Sequence, residues 1–138
     1  MKIGLISCVK TKCKYRTEAK NMYLSPLFKG YYNIAKRNCD LIYILSAKYG
    51  LLKENDIIEP YEESLNNKTE YQRKLWSYNV FREIEKNIKK DDIIYWYAGM
   101  NYKKYLSKIL INKQIHYSKN LGIGKILKKL KNESINSI

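Results

Sequence analysis

Polar side chains that could bind anions or transfer protons follow three apolar runs of the sequence. Ser7, Cys8, Lys10 and Lys12 follow the first run, Ser46, Lys48 and Tyr49 the second, and Gly99 and Tyr102 the third. Hydroxyl and ammonium groups hold phosphate or carboxylate, and phenol rings stack on bases. The spacing G-x-x-x-x-G-K-S/T of a P-loop is absent after the first run. The lysines there therefore indicate either an anion site of another kind or a solvated basic loop.

An acidic stretch over residues 54–64 interrupts this basic chain after the second apolar run. Pro60 keeps the preceding residue out of helical geometry, so the stretch is predicted to be a loop. It displays Glu59, Tyr61, Glu62 and Glu63. Cleavage of a glycosidic bond builds positive charge on the sugar, which a carboxylate stabilises. Glu62 is the first candidate for that role and Glu59 the second; pairing with lysines is the structural alternative.

Four apolar runs of strand length alternate with amphipathic helices. The strands are predicted over residues 2–7, 41–45, 93–97 and 114–118, and the helices over about 26–37, 69–89, 100–110 and 123–130. This order predicts an α/β three-layer sandwich with a four-stranded, mainly parallel sheet. Residues 14–24 are expected to be irregular, and a long loop is expected after the second strand. One domain over 1–131 and a frayed tail over 132–138 complete the prediction.

The carboxyl ends of parallel strands lie at one edge of a sheet, which is where ligands bind in open α/β folds. The three polar groups are therefore expected in one cleft, with Glu62 closing over it and Lys48 holding an anion. The alternative for the second group is that Ser46 caps a turn, Lys48 is solvated and Tyr49 packs. The apolar stripe that includes Trp76 is predicted to be core and not a base-stacking surface, because it repeats at helical spacing.

The net charge of +14 favours a polyanionic partner, and nucleic acid before a membrane. Arginine occurs only four times, at Arg16, Arg37, Arg73 and Arg82. Because bidentate arginines read base edges, this lysine-rich charge favours contact with phosphates over sequence reading. The expected partner is a nucleic acid or a nucleotide.

Other features of the sequence bear on location and cofactors. No apolar run approaches the length of a membrane span, and the first residues lack a signal-peptide layout. Three cysteines at irregular spacing do not form a disulfide framework, which favours the cytoplasm. Cys8 and Cys13 have no histidine nearby, so neither zinc nor another cofactor is predicted.

Five short blocks of the sequence together resemble a small family of bacterial and phage proteins with no settled activity. The blocks are Ser7-Cys8-x-Lys10-x-Lys12, Tyr23-Leu24-Ser25-Pro26-Leu27-Phe28, Ser46-Ala47-Lys48-Tyr49-Gly50-Leu51-Leu52, Pro60-Tyr61-Glu62 and Ala98-Gly99-x-x-Tyr102. More remotely, the chain is similar to the uracil-DNA-glycosylase-like domain of archaeal tRNA base-modification enzymes. That similarity implies a small parallel α/β sandwich and a site that handles a nucleobase or its glycosidic bond.

The chain departs from the glycosylase pattern at the site itself. The glycosylase motif Gly-x-Asp-Pro-Tyr follows the first strand, whereas this chain has Ser7-Cys8-Val9-Lys10 there. The Pro-Tyr pair of this chain, Pro60-Tyr61, comes after the second strand. The similarity therefore implies a fold more directly than it implies any catalytic residue.

Three functions follow from these observations. The first is an N-glycosidase or base-exchange enzyme, in which lysines hold phosphate or stabilise the departing base and Tyr49, Tyr61 or Tyr102 stacks on it. The second is a non-catalytic nucleic-acid-binding module. The third is a cysteine-dependent enzyme using Cys8 beside Lys10. His116 comes from a different strand end and is expected to be packed or half-exposed.

Overall fold

The computed structural model describes residues 1–117 and 123–136 of the chain. The strands are β1 (Lys2–Ser7), β2 (Thr17–Glu18), β3 (Leu41–Ser46), β4 (Gly50–Lys53), β5 (Ile57–Ile58), β6 (Ile93–Tyr97) and β7 (Gln114–His116). The helices are α1 (Ala19–Met22), α2 (Pro26–Asn38), α3 (Glu70–Asn87), α4 (Met100–Lys103), α5 (Leu106–Ile109) and α6 (Ile123–Asn136), with a short 3₁₀ helix over Leu65–Asn67.

The central sheet has five strands in the order β4-β3-β1-β6-β7. β3, β1, β6 and β7 run parallel, and β4 is antiparallel to β3. From β1 the chain first crosses to β3 on one side and later to β6 on the other. The direction of strand order therefore reverses at β1, and the crevice between the carboxyl ends of β1 and β6 is where such folds bind ligands.

The helices form two layers, one on each face of the sheet. On one face α2 and α6 pack together, and Tyr97 of β6 contacts Tyr31 of α2 with ring centroids 5.9 Å apart. On the other face Trp96 donates a hydrogen bond to Gln114, whose amide donates to the carbonyl of Leu110 at the end of α5. The predicted three-layer α/β arrangement with a mainly parallel sheet is confirmed.

The helix starts follow their sequence signals. Ser25 accepts a hydrogen bond from the backbone N–H of Phe28, and Pro26 is the first residue of α2. α3 begins with a capping box formed by Thr69 and Gln72. The buried face of α3 includes Val80 and Ile84, as the helical spacing predicts.

Two corrections concern the number of strands and the loops. The sheet has five strands because Gly50–Lys53 turns back as β4; the prediction of four strands with a long loop after the second was therefore wrong. Residues 14–24, expected to be irregular, contain β2 and α1. β2 pairs with β5 from the acidic stretch, so two strands of only two residues each are held by their pairing with each other.

Two further corrections concern helix bounds. The single helix predicted over residues 100–110 is divided into α4 and α5 at Lys104 and Tyr105. α6 continues to Asn136, so residues 132–136, predicted as part of a frayed tail, are helical. β7 ends at His116, and the expectation that the strand includes Ser118 lies outside the described residues.

Candidate functional site

The carboxyl ends of β1 and β6 meet at the point where the strand order reverses. The backbone N–H of Gly99 donates a hydrogen bond to Ser7 Oγ at 3.2 Å, which joins the two strand ends directly. On the other side, the N–H of Cys8 donates to the carbonyl of Leu45 in β3. Cys8 is thus held at the centre of this sheet edge, between two neighbouring strands.

Two adjoining cavities open at this edge. The central cavity has a volume of about 780 Å³, and residues of the β1 and β6 ends, α2, α4, α5 and α6 line it. The acidic cavity has about 500 Å³, and its lining includes Lys12, Tyr61, Glu62, Glu63 and Ser64. Both are lined by Cys8, Val9, Lys10, Asn66 and Tyr102, so they adjoin at the end of β1.

A third cavity of about 500 Å³, the lateral cavity, lies between the sheet, α2 and α6. His116 lines both the lateral and the central cavity. The lateral cavity is lined by Ile34, Arg37, Asn38, Tyr95, Tyr97, Ile115, His116, Tyr117, Lys129 and Glu133. Each of the three volumes falls within the range of small-molecule sites.

Cys8 and Tyr102 form the boundary between the central and acidic cavities. The thiol of Cys8 donates a hydrogen bond to Tyr102 Oη, with the two atoms 3.1 Å apart. Tyr102 Oη also accepts from the backbone N–H of Leu65, and its ring packs edge-on against Trp76. Trp76 in turn donates from its indole N–H to the carbonyl of Ser46. Trp76 therefore supports Tyr102 and lines neither of the two cavities, which agrees with the prediction that it belongs to the core.

Tyr61 belongs to a buried chain of hydroxyl groups beneath the acidic cavity. Its Oη accepts a hydrogen bond from Ser46 Oγ at 2.8 Å and lies 2.7 Å from Tyr23 Oη. Ser46 is fully buried and Tyr23 nearly so. Burial raises the pKa values of Tyr23 and Tyr61 far above the ordinary value, and the neighbouring Cys8 acts in the same direction. Both phenols are therefore neutral at physiological pH and can act as donors.

Lys12 is the half-buried cation of the acidic cavity. Its Nζ lies 4.5 Å from the centroid of the Tyr61 ring and donates to the carbonyl of Lys10. Burial lowers the pKa of Lys12 from its ordinary value, while Cys8 and Glu62 oppose that effect. Lys12 is therefore less strongly basic than a solvated lysine, and Glu62 acts on it as a counter-charge.

A basic cluster borders the central cavity on the side of α5. The ammonium groups of Lys74, Lys104 and Lys108 lie between 5.2 and 5.8 Å from the ring centroid of Tyr105. Tyr105 donates a hydrogen bond to Glu70, and this bond, followed by Lys104, lowers the pKa of the Glu70 carboxyl. Because Lys104 and Lys108 also line the central cavity, its rim carries positive charge.

Most of the residues predicted for the cleft lie together at this edge. Ser7, Cys8, Lys10, Lys12, Tyr61, Glu62, Gly99 and Tyr102 line the central or the acidic cavity. Lys48, Tyr49 and Glu59 line none of the three cavities defined above. Ser46 is buried behind Tyr61 and reaches the cavity only through it.

The second polar group is a hairpin turn between β3 and β4. Ser46 Oγ accepts hydrogen bonds from the backbone N–H groups of Lys48 and Tyr49. Gly50 follows with φ of 75°, the left-handed conformation that closes three-residue hairpin loops. Lys48 is exposed, and Tyr49 packs edge-on against Tyr61. The structure therefore has the alternative geometry, in which Ser46 caps a turn, Lys48 is solvated and Tyr49 packs.

Several residues of the cavities were not identified from sequence. His116 lines the central cavity, and its ring stacks on Trp96 with a centroid distance of 6.2 Å. Asn66 and Asn101 line the same cavity and are joined by a hydrogen bond of 2.6 Å. His116 ends the fourth parallel strand. Its place at this edge could therefore have been predicted from the rule that the carboxyl ends of parallel strands lie together. Asn66 had no such signal, because it follows a loop.

Two properties of the described residues concern metals and membranes. Within residues 1–117 and 123–136, no group of three His, Cys, Asp or Glu side chains could hold a metal ion. In the same part of the chain, no helix combines the length and apolar character needed to cross a membrane.

Comparison with known proteins identifies a family. No curated protein sequence matches the chain. A family model described as a family of unknown function (DUF6884) matches residues 3–132, and the chain belongs to that family.

Proposed function

We propose that the protein is an N-glycosidase, or a base-exchange enzyme, that acts on a nucleotide unit in the central and acidic cavities. The observation that supports this most directly is that Glu62 and Lys12 line one cavity with Tyr61 and Tyr102. A carboxylate can stabilise the positive charge that develops on the sugar, and an ammonium of lowered pKa can protonate the departing base. The resemblance to uracil-DNA-glycosylase-like domains is part of the same proposal.

The proposed reaction has a role for each of these groups. The bond between C1′ and the base nitrogen breaks, and its electron pair remains on the base. Glu62 stabilises the positive charge that develops on the sugar and takes a proton from the attacking water. Lys12 donates its proton to the departing base, and its lowered pKa makes it a better acid than an ordinary lysine. Water thus supplies OH to the sugar, and the base leaves with one added proton. Transfer of the proton held by Glu62 to Lys12 through solvent restores both groups.

Substrate binding in this proposal uses the remaining lining groups. Lys10 and the basic rim of Lys104 and Lys108 neutralise phosphate. Tyr61 and Tyr102 are buried, so they form part of the cavity wall and do not offer free ring faces for a base. The neutral hydroxyl of Tyr102 is already engaged by Cys8 and Leu65. The asparagine pair Asn66 and Asn101 has amide groups that can pair with a base edge.

Glu62→Gln tests the catalytic part of the proposal. The variant keeps the size of the side chain and removes the charge, so base release should fall by roughly 10²-fold or more while binding stays within a few fold. Released base is measured by mass spectrometry from mononucleotides and from single-stranded DNA and RNA with ordinary and modified bases. Glu59→Gln is the matched control, because Glu59 is exposed on the same loop and lines none of the cavities.

The outcomes separate the candidate functions. Base release at the wild-type rate by Glu62→Gln would remove Glu62 from the mechanism. Loss of activity in Glu59→Gln alone would transfer the role to Glu59. Binding that weakens steeply with salt, without base release from any substrate, would favour the non-catalytic nucleic-acid-binding module.

A further inference from the structure

We infer that the ligand is a single strand of nucleic acid longer than one nucleotide, which continues from the central cavity into the lateral cavity. This inference rests on the proposed function and names its substrate class. The lateral cavity has no part in the proposed reaction, yet it shares His116 with the central cavity. On the face that α2 covers, Tyr31 lines the central cavity and its ring contacts Tyr97 and Tyr117 of the lateral cavity. A strand whose reacting nucleotide lies in the acidic and central cavities would therefore continue past Tyr31.

The size of the cavities favours an extended ligand. The central cavity of about 780 Å³ and the lateral cavity of about 500 Å³ are each large enough for a small-molecule ligand. The acidic cavity adjoins the central one through Cys8 and Lys10. A free mononucleotide would occupy only part of the three cavities together.

The distribution of cations also favours an extended ligand. Lys12 lines the acidic cavity, Lys10 its boundary with the central one, and Arg37 and Lys129 the lateral cavity. A free nucleotide carries its phosphates in one group, so a single cluster of cations would suffice. Cations that recur from one cavity to the next match phosphates that recur along a chain.

The aromatic side chains indicate a single strand. Tyr95 and Tyr117 line the lateral cavity. Rings set in concave surfaces can reach a base only when that base is unpaired and turned out of a helix. Lys129 lies 3.9 Å from the ring centroid of Tyr117, so charge and ring are combined at one position. The Glu133 carboxylate of this cavity accepts a hydrogen bond from the Tyr117 hydroxyl.

Binding measured against ligand length is the first test. The probes are single-stranded DNA and single-stranded RNA of about ten nucleotides, a DNA duplex of the same sequence, and a 5′-mononucleotide. We expect one or both single strands to bind at least roughly tenfold more tightly than the mononucleotide, and more tightly than the duplex. Equal affinity for mononucleotide and single strand, or preference for the duplex, would overturn the inference.

The second test removes the cations of the lateral cavity. The double variant Arg37→Ala/Lys129→Ala should weaken single-strand binding roughly tenfold and leave mononucleotide binding unchanged. Its salt dependence, the slope of log K against log salt, should fall in magnitude by about 1.4, since each phosphate contact contributes about 0.7 for single strands. Lys129→Gln alone should show about half of that change in slope, and it serves if the double variant does not fold.

The matched control is Lys90→Ala/Lys113→Ala. Lys90 and Lys113 are exposed and precede β6 and β7, at the opposite edge of the sheet, so the net charge changes equally while the cavities are untouched. Equal losses of affinity in both double variants would attribute the effect to overall charge and contradict a lateral subsite.

The outcomes also distinguish failure of this inference from failure of the proposed function. Single-strand binding without base release would overturn the proposed glycosidase alone, whereas base release from a tightly bound mononucleotide would overturn only the extended strand. If neither ligand bound, both proposals would fail.

Discussion

Cys8 Sγ lies 3.1 Å from Tyr102 Oη, and this contact joins the end of the first strand to α4, ninety-four residues further along the chain. Tyr102 also accepts the N–H of Leu65 from the 3₁₀ helix. One phenol therefore joins three segments that form the edges of the central and acidic cavities.

Replacing Tyr102 by Phe should destabilise the fold by about 1–2 kcal/mol. The ring and its packing on Trp76 remain, but the buried N–H of Leu65 and the thiol of Cys8 lose their partner. Urea unfolding of the two proteins measures the difference. Tyr78→Phe is the control, because the Tyr78 side chain is exposed on α3. A Tyr102→Phe variant as stable as the wild type would show that this hydroxyl contributes nothing to the fold.

Lys12 and Lys48 should differ sharply in their effect on anion binding. Lys12→Ala is expected to weaken binding of a 5′-mononucleotide roughly tenfold, whereas Lys48→Ala should leave it within about twofold. Lys12 is half-buried in the acidic cavity, and Lys48 is exposed on the hairpin turn. Titration calorimetry measures the affinity of both variants. A larger loss of affinity for Lys48→Ala than for Lys12→Ala would mean that the hairpin turn is part of the binding site.

The pH dependence of mononucleotide binding should report on Lys12 as well. Burial lowers the pKa of Lys12, so its positive charge is lost on raising the pH before that of a solvated lysine, whose pKa is about 10.4. Wild-type affinity should therefore begin to fall below that pH. The Lys12→Ala variant should lack this step, and an identical profile in both proteins would contradict a role for its charge.

Gly50 should not tolerate a side chain. Its φ of 75° is unfavourable for any residue with a Cβ, and a Cβ there would lie 3.3 Å from Glu83 Oε1. Gly50→Ala is expected to cost about 1–2 kcal/mol of the free energy of unfolding. Gly124→Ala is the contrasting variant, since a Cβ there meets nothing within 4 Å and a helical alanine can stabilise by up to about 1 kcal/mol. Thermal unfolding followed by circular dichroism should show a lower Tm for Gly50→Ala and a higher Tm for Gly124→Ala than for the wild type.

Asp92 should contribute stability that is lost in acid. Its buried carboxylate accepts hydrogen bonds from the Lys89 N–H and the Met1 ammonium, and these, in that order, lower its pKa. The folded state therefore binds fewer protons than the unfolded state near the ordinary pKa of about 3.9. The stabilisation is complete above that pH and disappears as the pH falls through the lowered value.

Asp92→Asn should thus cost about 1.5–3 kcal/mol at pH 7, the range for hydrogen bonds to charged groups, and less in acid. Urea unfolding of both proteins at neutral pH and near about pH 3 measures this convergence. Asp91→Asn makes the same charge change at an exposed neighbour and should have little effect at either pH. A difference between wild type and Asp92→Asn that stayed constant with pH would contradict the ionic origin of the effect.

The parts of the fold that follow from local patterns were predictable. β1 and the strand run of β3 are apolar on both faces, and α2 and α3 carry their own cap residues, so each is specified by neighbouring positions in sequence. β4 was missed because Leu51 and Leu52 follow a turn whose closure depends on Gly50 adopting a positive φ. β2 and β5 were missed because each is two residues long and is ordered only by pairing with the other.

The candidate site likewise contains contacts that could be predicted from the sequence and contacts that could not. That Ser7, Cys8 and Gly99 meet could be inferred, because parallel strands bring their carboxyl ends to one edge. The contact of Tyr61 with Tyr23 could not, because it depends on how the acidic stretch folds back over the chain before α2. The position of Lys48 outside the three cavities could not be predicted either, because a polar residue after a strand is equally typical of a hairpin and of a ligand-binding loop.

The three hydrogen bonds of the Ser46 hydroxyl make the hairpin turn and the floor of the acidic cavity one mechanical unit. The same oxygen that fixes the amides of Lys48 and Tyr49 donates to Tyr61, and Tyr49 braces the Tyr61 ring from the side. A displaced turn would tilt the Tyr61 ring. Residues of the hairpin turn, which do not contact the ligand, would then affect its affinity. A scan of substitutions scored by ligand binding would therefore find sensitive positions in the turn behind Tyr61.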